Sequence, residues 1–241
     1  MTDASPLEYS STVEKYIKQL YLLSEDGTKR LVSMKRLVTA VGVAPGTATS
    51  MVKTLADQDL VEYLPREGAR LTEKGIRLAI DLVRKHRLVE LFLVKILKLD
   101  WSEVHREAEE LEHVVSPRIV ERIDEALGFP RYGPHGKPIP DDSGNVESAS
   151  YLYLDGVPDG SRVTITQIED DDTDLLRLVG DRRYSIGTVA TIERDGAAGT
   201  VTLKREGDNF GLTLSLRAAA AVGVAPVADI AGRIEARAIE E

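Results

Sequence analysis

Cysteine is absent from the 241 residues. That excludes a disulfide framework, a thiolate zinc site, an iron–sulfur cluster and a cysteine nucleophile, so any metal must be held through nitrogen and oxygen. Long apolar runs are missing as well: none approaches the ~20 residues that a membrane-spanning helix requires. The N-terminus, Met1-Thr-Asp-Ala-Ser-Pro, has neither a basic region nor an apolar stretch behind it, which predicts a cytoplasmic protein with no membrane partner. No His-Glu-x-x-His pattern and no glycine-rich phosphate loop occurs. Nothing therefore marks a hydrolase, and the chain reads as a non-enzyme.

What is present is a chain of 42% hydrophobic residues, enough to bury cores for one large domain or two to three small ones. The net charge of −9 is unevenly placed. Residues 1–98 carry 16 Lys+Arg against 12 Asp+Glu, whereas residues 99–241 carry 15 against 28. A basic N-terminal part within an acidic chain is the distribution expected when one domain meets phosphates and the rest does not.

Val13, Tyr16, Ile17, Leu20 and Leu23 recur at helical spacing and predict a first helix capped by Ser11 or Thr12. Ser33 caps a second short helix, and Gly42-Val-Ala-Pro-Gly46 separates it from a third running from Thr47 to Leu60, which makes a helix-turn-helix. Leu60 to Leu71, two apolar runs around an Arg/Gly turn, has the pattern of a β-wing. A long helix follows from Thr72 to about Lys98. Another runs from a cap at Ser102 to about Val115, and a third starts at Pro117 and ends at Gly128. Leu82, Val83, Leu88, Leu91, Phe92, Val94 and Leu97 form more apolar surface than one small domain needs, which predicts a helical dimer interface. Residues 129–160 hold five of the ten prolines and predict an extended tether. Beyond it, alternating runs at 163–168, 187–192, 200–204 and 212–216 predict a small antiparallel barrel, with one helical turn at 175–179. The fold class is mainly α with β. The predicted domains are residues 1–74 (winged helix-turn-helix), 75–146 (helical dimerisation and metal binding, with the tether) and 147–241 (barrel).

The chemistry lies in the histidines. His86 and Glu90 stand at i, i+4, and His105, Glu109, Glu112 and His113 fall within an arc of roughly 100° if one helix carries them all. Imidazole and carboxylate together suit Mn²⁺, Fe²⁺, Co²⁺ or Zn²⁺, and two such sets on neighbouring helices could hold one or two ions. His135, in Pro134-His-Gly, reads as a loop residue rather than a ligand.

Three stretches carry a resemblance: Arg84-Lys-His-Arg-Leu-Val-Glu90, Val104-His-Arg-Glu-Ala-Glu-Glu-Leu-Glu-His-Val-Val-Ser116 and Pro134-His-Gly-Lys-Pro-Ile-Pro140. Together with the order of winged module, helical domain, tether and barrel, they resemble the iron- and manganese-dependent repressors of the diphtheria toxin repressor type. The resemblance implies an SH3-like (FeoA-like) barrel at the C-terminus. It implies one metal site at His86, Glu90 and His105, completed in some members by acidic barrel groups, here the Glu169–Asp172 loop with Asp170 and Asp172. A second site would use Glu109, Glu112 and His113 plus a first-helix side chain. Iron-type members resemble one another in carrying Cys at the Glu109 position and manganese-type members in carrying Glu. The oxygen found here favours the harder Mn²⁺, with Fe²⁺ as the alternative.

The first-helix ligand position departs from the pattern: it is Lys15, and the acidic position one turn later is Lys18. A protonated lysine cannot ligate. Either Lys15 turns away and water or a backbone carbonyl replaces it, or its ammonium pairs with Glu109 and Glu112 in place of the ion. The second outcome would give a winged-helix regulator with weak or no metal dependence.

The implied partner is a palindromic double-stranded DNA operator, met by a homodimer. Pro45, Gly46, Thr47, Thr49 and Ser50 sit at the first turn of the recognition helix, where side chains reach base edges and N–H groups reach phosphate. Lys35, Arg36, Lys53, Arg66 and Arg70 would supply charge to the phosphates. A dimer fixed by metal would space two winged modules about 34 Å apart and repress metal-homeostasis genes.

Overall fold

The structure is a computed structural model, and residues 9–24, 30–141, 144–146, 151–169 and 172–227 are described. They divide into two compact units. The first comprises residues up to 86 with 112–114 and 140–145, and the second comprises 87–111, 115–139 and the chain from 146 onward. No described helix is long and apolar enough to cross a membrane.

The first unit begins with α1 (Ser11–Leu23). Its cap is Ser10, whose hydroxyl accepts the Val13 N–H, one residue before the position the periodicity suggested. The apolar stripe Val13, Tyr16, Ile17, Leu20 faces the core. Ser33 caps α2 (Met34–Val41), and Gly42, at φ +75°, ends it in the left-handed conformation that costs glycine least. α3 spans Pro45–Asp57; it starts before Thr47 because Pro45 takes the first helical position, where no N–H is needed. Asp59, at φ +58°, turns the chain, and β1 (Val61–Leu64) pairs antiparallel with β2 (Gly68–Leu71) as the wing. Val32 and Ala69 exchange both backbone hydrogen bonds, so the strand-like entry to α2 is stitched to the wing. Ile17, Leu20, Leu37, Ala48, Val52, Leu55, Leu60 and Ala69 are fully buried in one core.

α4 (Glu73–Lys95) starts in the first unit and continues, from Arg87, in the second. It stops short of Lys98, which sits at φ +58°, as Ile96 and Leu97 both turn their N–H groups to Phe92 O. α5 (Val104–Leu111) is shorter than expected and is followed by a turn at 112–114; α6 spans Pro117–Ala126. The apolar residues assigned to a dimer face are mostly spent inside the chain. Leu82 and Val83 lie in the first unit's core, Leu88 and Leu91 in a second core with Val104, Ala108 and Ile123, and Phe92 and Val94 pack against the latter. Between Glu73 and Ala126 the exposed large apolar residues are Ile96, Leu97, Leu111, Val114 and Ile119, of which only Leu97 belongs to the assigned face.

The remainder of the second unit is a six-stranded antiparallel sheet: β3 (Leu152–Tyr153), β4 (Arg162–Ile168), β5 (Val189–Asp195), β6 (Thr200–Lys204), β7 (Leu212–Ser215) and β8 (Val222–Pro226), in the order β3-β8-β4-β5-β6-β7. α7 (Thr173–Asp181) and α8 (Leu216–Ala219) accompany it, and Ile165, Ile168, Leu176, Ile192, Val201, Leu203 and Val224 fill its core. Residues 130–139 are not an extended tether. The Tyr132–Pro138 bridge and the Ile139 N–H to Arg131 O bond close a tight loop, and its His135 carbonyl accepts the Ile168 N–H at 3.0 Å. Proline removes donors, but its neighbours still find partners on the sheet.

Candidate metal centre

His86 and Glu90 sit one turn apart on α4, and both are buried. His105, near the start of α5, places Nδ1 at 3.0 Å from Glu90 Oε1. One donor atom each of His86, Glu90 and His105 lie within 4.8 Å of one another; no other such trio of His, Asp or Glu occurs among the described residues. Two imidazoles and a carboxylate form a nitrogen/oxygen donor set that fits a borderline-to-hard divalent ion. Glu109, four residues past His105, is 3.8 Å from its Nε2.

Glu112 and His113 lie elsewhere. α5 ends at Leu111, so the single arc expected for His105, Glu109, Glu112 and His113 does not form, and the 112–114 turn belongs to the first unit. There Glu112, only 2% exposed, takes His86 Nδ1 on one carboxylate oxygen at 2.6 Å and the Lys18 ammonium on the other at 2.7 Å. His113 Nδ1 meets Glu14 Oε2 at 2.6 Å. Burial pushes the Glu112 carboxyl up, but His86 and Lys18 together outweigh it and hold the group below the usual glutamate range. Glu109, Glu112 and His113 are thus not brought together: Glu112 meets the Lys18 ammonium, His113 meets Glu14, and Glu109 lies by His105. The first-helix lysine that turns inward, onto Glu112, is Lys18, whereas Lys15 is exposed. Glu14 was not read from the sequence. Its signal was there: Glu14 and Lys18 are i, i+4 on α1, one face offering both signs of charge.

Asp172 caps α7 by accepting the Leu175 N–H at 3.0 Å, Glu169 pairs with Lys137 at 2.9 Å, and Asp170 lies outside the described residues. His135 is a buried loop residue. Its ring stacks on Trp101, and Nε2 lies 2.8 Å from the Trp101 carbonyl.

In the first unit, Pro45, Gly46, Thr47, Ser50 and Lys53 are exposed on α3, and Lys35 and Arg36 on α2. Thr49 is half-buried and its hydroxyl donates back to Pro45 O at 2.8 Å. Ala44, the cap of α3, supplies no side-chain acceptor to the first-turn N–H groups. Arg66 is exposed at the wing tip, at φ +73°. Arg70 differs: its guanidinium meets the Glu62 carboxylate directly across the strand pair at 2.7 Å, so its charge is compensated within the wing.

Comparison with known proteins places the chain in a family. Residues 8–69 match the family model of the iron dependent repressor N-terminal DNA binding domain, and residues 72–141 that of the iron dependent repressor metal binding and dimerisation domain. The chain is 31% identical to the iron-dependent repressor IdeR of Mycobacterium leprae over 204 residues, 80% of this chain and 88% of that one. It is 30% identical to the diphtheria toxin repressor of Corynebacterium diphtheriae over 212 residues, 83% and 92% of the two. A solved manganese-dependent transcriptional repressor in complex with manganese superposes with a TM-score of 0.79 at 35% identity, over 89% of this chain and 100% of that one. The chain belongs to the iron-dependent repressor family of metal-dependent, DNA-binding transcriptional repressors.

Proposed function

We propose that this chain is a homodimeric repressor that reads a palindromic operator when a divalent ion, Mn²⁺ with Fe²⁺ as the alternative, is held by His86, Glu90 and His105. The observation that carries the reading is the convergence of those three donors within 4.8 Å. The ion would supply a positive charge among nitrogen and oxygen donors. Around it, Glu90 fixes the His105 ring at 3.0 Å and Glu112 fixes the His86 ring at 2.6 Å, so both imidazoles are oriented by carboxylates. The absence of any thiolate and the presence of Glu at position 109 support Mn²⁺, as does the manganese held by the structural neighbour.

In this reading residues 1–74 carry the DNA contact, 75–146 the dimer and metal, and 147–241 the sheet domain. Thr47, Thr49 and Ser50 approach base edges, and Lys35, Arg36, Lys53 and Arg66 approach phosphates, with Arg70 contributing less because Glu62 holds it. Ile96, Leu97, Leu111 and Ile119 are proposed for the dimer face. The protein performs no catalysis and works in the cytoplasm, where its operator lies.

The test is His86→Ala. In the wild type, saturating Mn²⁺ should raise DNA affinity by roughly 5- to 150-fold over chelated protein, the usual span of coupling between two sites. In the variant this ratio should fall to one, read by fluorescence anisotropy of a labelled duplex. An unchanged ratio would remove the assignment of this site. A second reading, a winged-helix regulator with weak or no metal dependence, is favoured by the lysine ammonium on Glu112. Full DNA binding in chelator would support it.

A further inference from the structure

Of the residues that the resemblance assigned to a second ion, Glu112 and His113 are already paired with charged groups of α1. Lys18 and Glu112 are 5% and 2% exposed, and their charged atoms are 2.7 Å apart. One turn earlier on the same face of α1, Glu14 meets His113 at 2.6 Å. The two contacts are crossed in sign: the acid of α1 takes the imidazole of the turn, and the base of α1 takes its carboxylate. Because Glu14 and Lys18 are i, i+4 and Glu112 and His113 are adjacent, only one rotation and one register of α1 satisfies both pairs. The second oxygen of Glu112 reaches His86 on α4, so the same carboxylate joins α1 to the helix that carries the first site.

We propose that Lys18 is a built-in cation that stands where a second metal ion would, holding α1 on the 112–114 turn in the metal-free chain and leaving this repressor one ion per chain. A buried carboxylate needs a compensating positive group, and Lys18 supplies it without a metal. A divalent ion brought to Glu112 would have to enter beside a buried ammonium that cannot ligate and whose like charge opposes it. Lys15, where the resemblance puts a ligand, is exposed and takes no part. The one-ion clause rests on the metal site proposed above; the clamp itself does not.

Two measurements on the full chain separate these. The first is amide hydrogen exchange of α1 in chelator. The wild type should exchange alike with and without Mn²⁺, whereas Lys18→Met should exchange about tenfold faster or more in α1, since an uncompensated buried carboxylate opens locally. Lys18→Arg, which keeps the charge, should restore the slow rate. The second is the number of Mn²⁺ ions per chain by native mass spectrometry: one for the wild type, two for Lys18→Glu. Two ions on the wild type, one on Lys18→Glu, or wild-type exchange in Lys18→Met would each overturn the proposal. Failure of Lys18→Arg to restore slow exchange would also overturn it. If Lys18→Met does not fold, the Lys18→Arg exchange rate and the two ion counts still decide. No ion on the wild type would instead overturn the metal site at His86, Glu90 and His105, with the exchange result still deciding the clamp.

Discussion

Asp208, in the bend between β6 and β7, accepts the N–H groups of Phe210 at 3.2 Å and Gly211 at 3.3 Å, the Tyr184 hydroxyl at 3.1 Å and the Arg205 guanidinium at 3.3 Å. Those bonds, the backbone ones first, hold its carboxyl down at about 2 from an ordinary 3.8. A carboxyl depressed by folding stabilises the fold fully above its unfolded value, and that contribution is lost as pH falls through the folded one. The metal-free wild type should therefore lose thermal stability between pH 4 and pH 2, and Asp208→Asn should show a flatter profile over that window with a lower midpoint at neutral pH. Equal pH profiles in a melting series would show that this bend does not couple to folding. His86 and Glu90 were legible because helical spacing alone brings them together. Glu112 and His113 were read as partners of Glu109, but the end of α5 at Leu111 sends them to α1 instead.

Among the elements, the wing shows how a strand pair depends on one missing side chain. Gly68 sits at φ +150°, and a β-carbon there would lie 2.2 Å from the Val32 carbonyl oxygen, which accepts the Ala69 N–H at 2.9 Å. Gly68→Ala should cost about 1–3 kcal/mol, by overpacking against backbone that cannot move aside. Urea unfolding of the chelated protein measures it, and a loss below a few tenths of a kcal/mol would mean that the wing is freer than its pairing indicates. The helix-turn-helix was legible because caps, glycine turn and apolar spacing agreed locally. The segment 130–139 was misread as a tether because its proline content says only that it cannot form helix. That its carbonyls and His135 would dock on β4 and Trp101 depends on residues 30 or more positions away. β8 went unread for a related reason. Val222-Gly-Val-Ala-Pro226 lacks alternation, and buried between β3 and β4 it has no polar face to display.

For the whole molecule, charge segregation sets the expected behaviour with DNA. The chain is acidic, at −9, yet its exposed helix-turn-helix cations Lys35, Arg36 and Lys53 and the wing-tip Arg66 sit in the part that carries a net excess of base. Binding should weaken steeply with salt, and Lys53→Ala should reduce the slope of log affinity against log salt by about 1, uniformly across duplex sequences. Titrations between about 50 and 200 mM salt test this. A change confined to one sequence would instead make Lys53 a base reader.

The class of molecule is written in local features of the chain. Local periodicity and caps specify the winged helix-turn-helix, the absence of cysteine limits the metal donors to nitrogen and oxygen, and the spacing of His86 and Glu90 starts the metal site. Which charges meet is set by packing between distant segments: His105 closes on Glu90, Arg70 is held by Glu62, and Lys18 rather than Lys15 turns inward to Glu112. The reason is physical. Helical spacing is a short-range property written in neighbouring residues, whereas the pairing of Lys18 with Glu112, 94 residues apart, depends on where two elements pack and on the cost of leaving either charge buried alone.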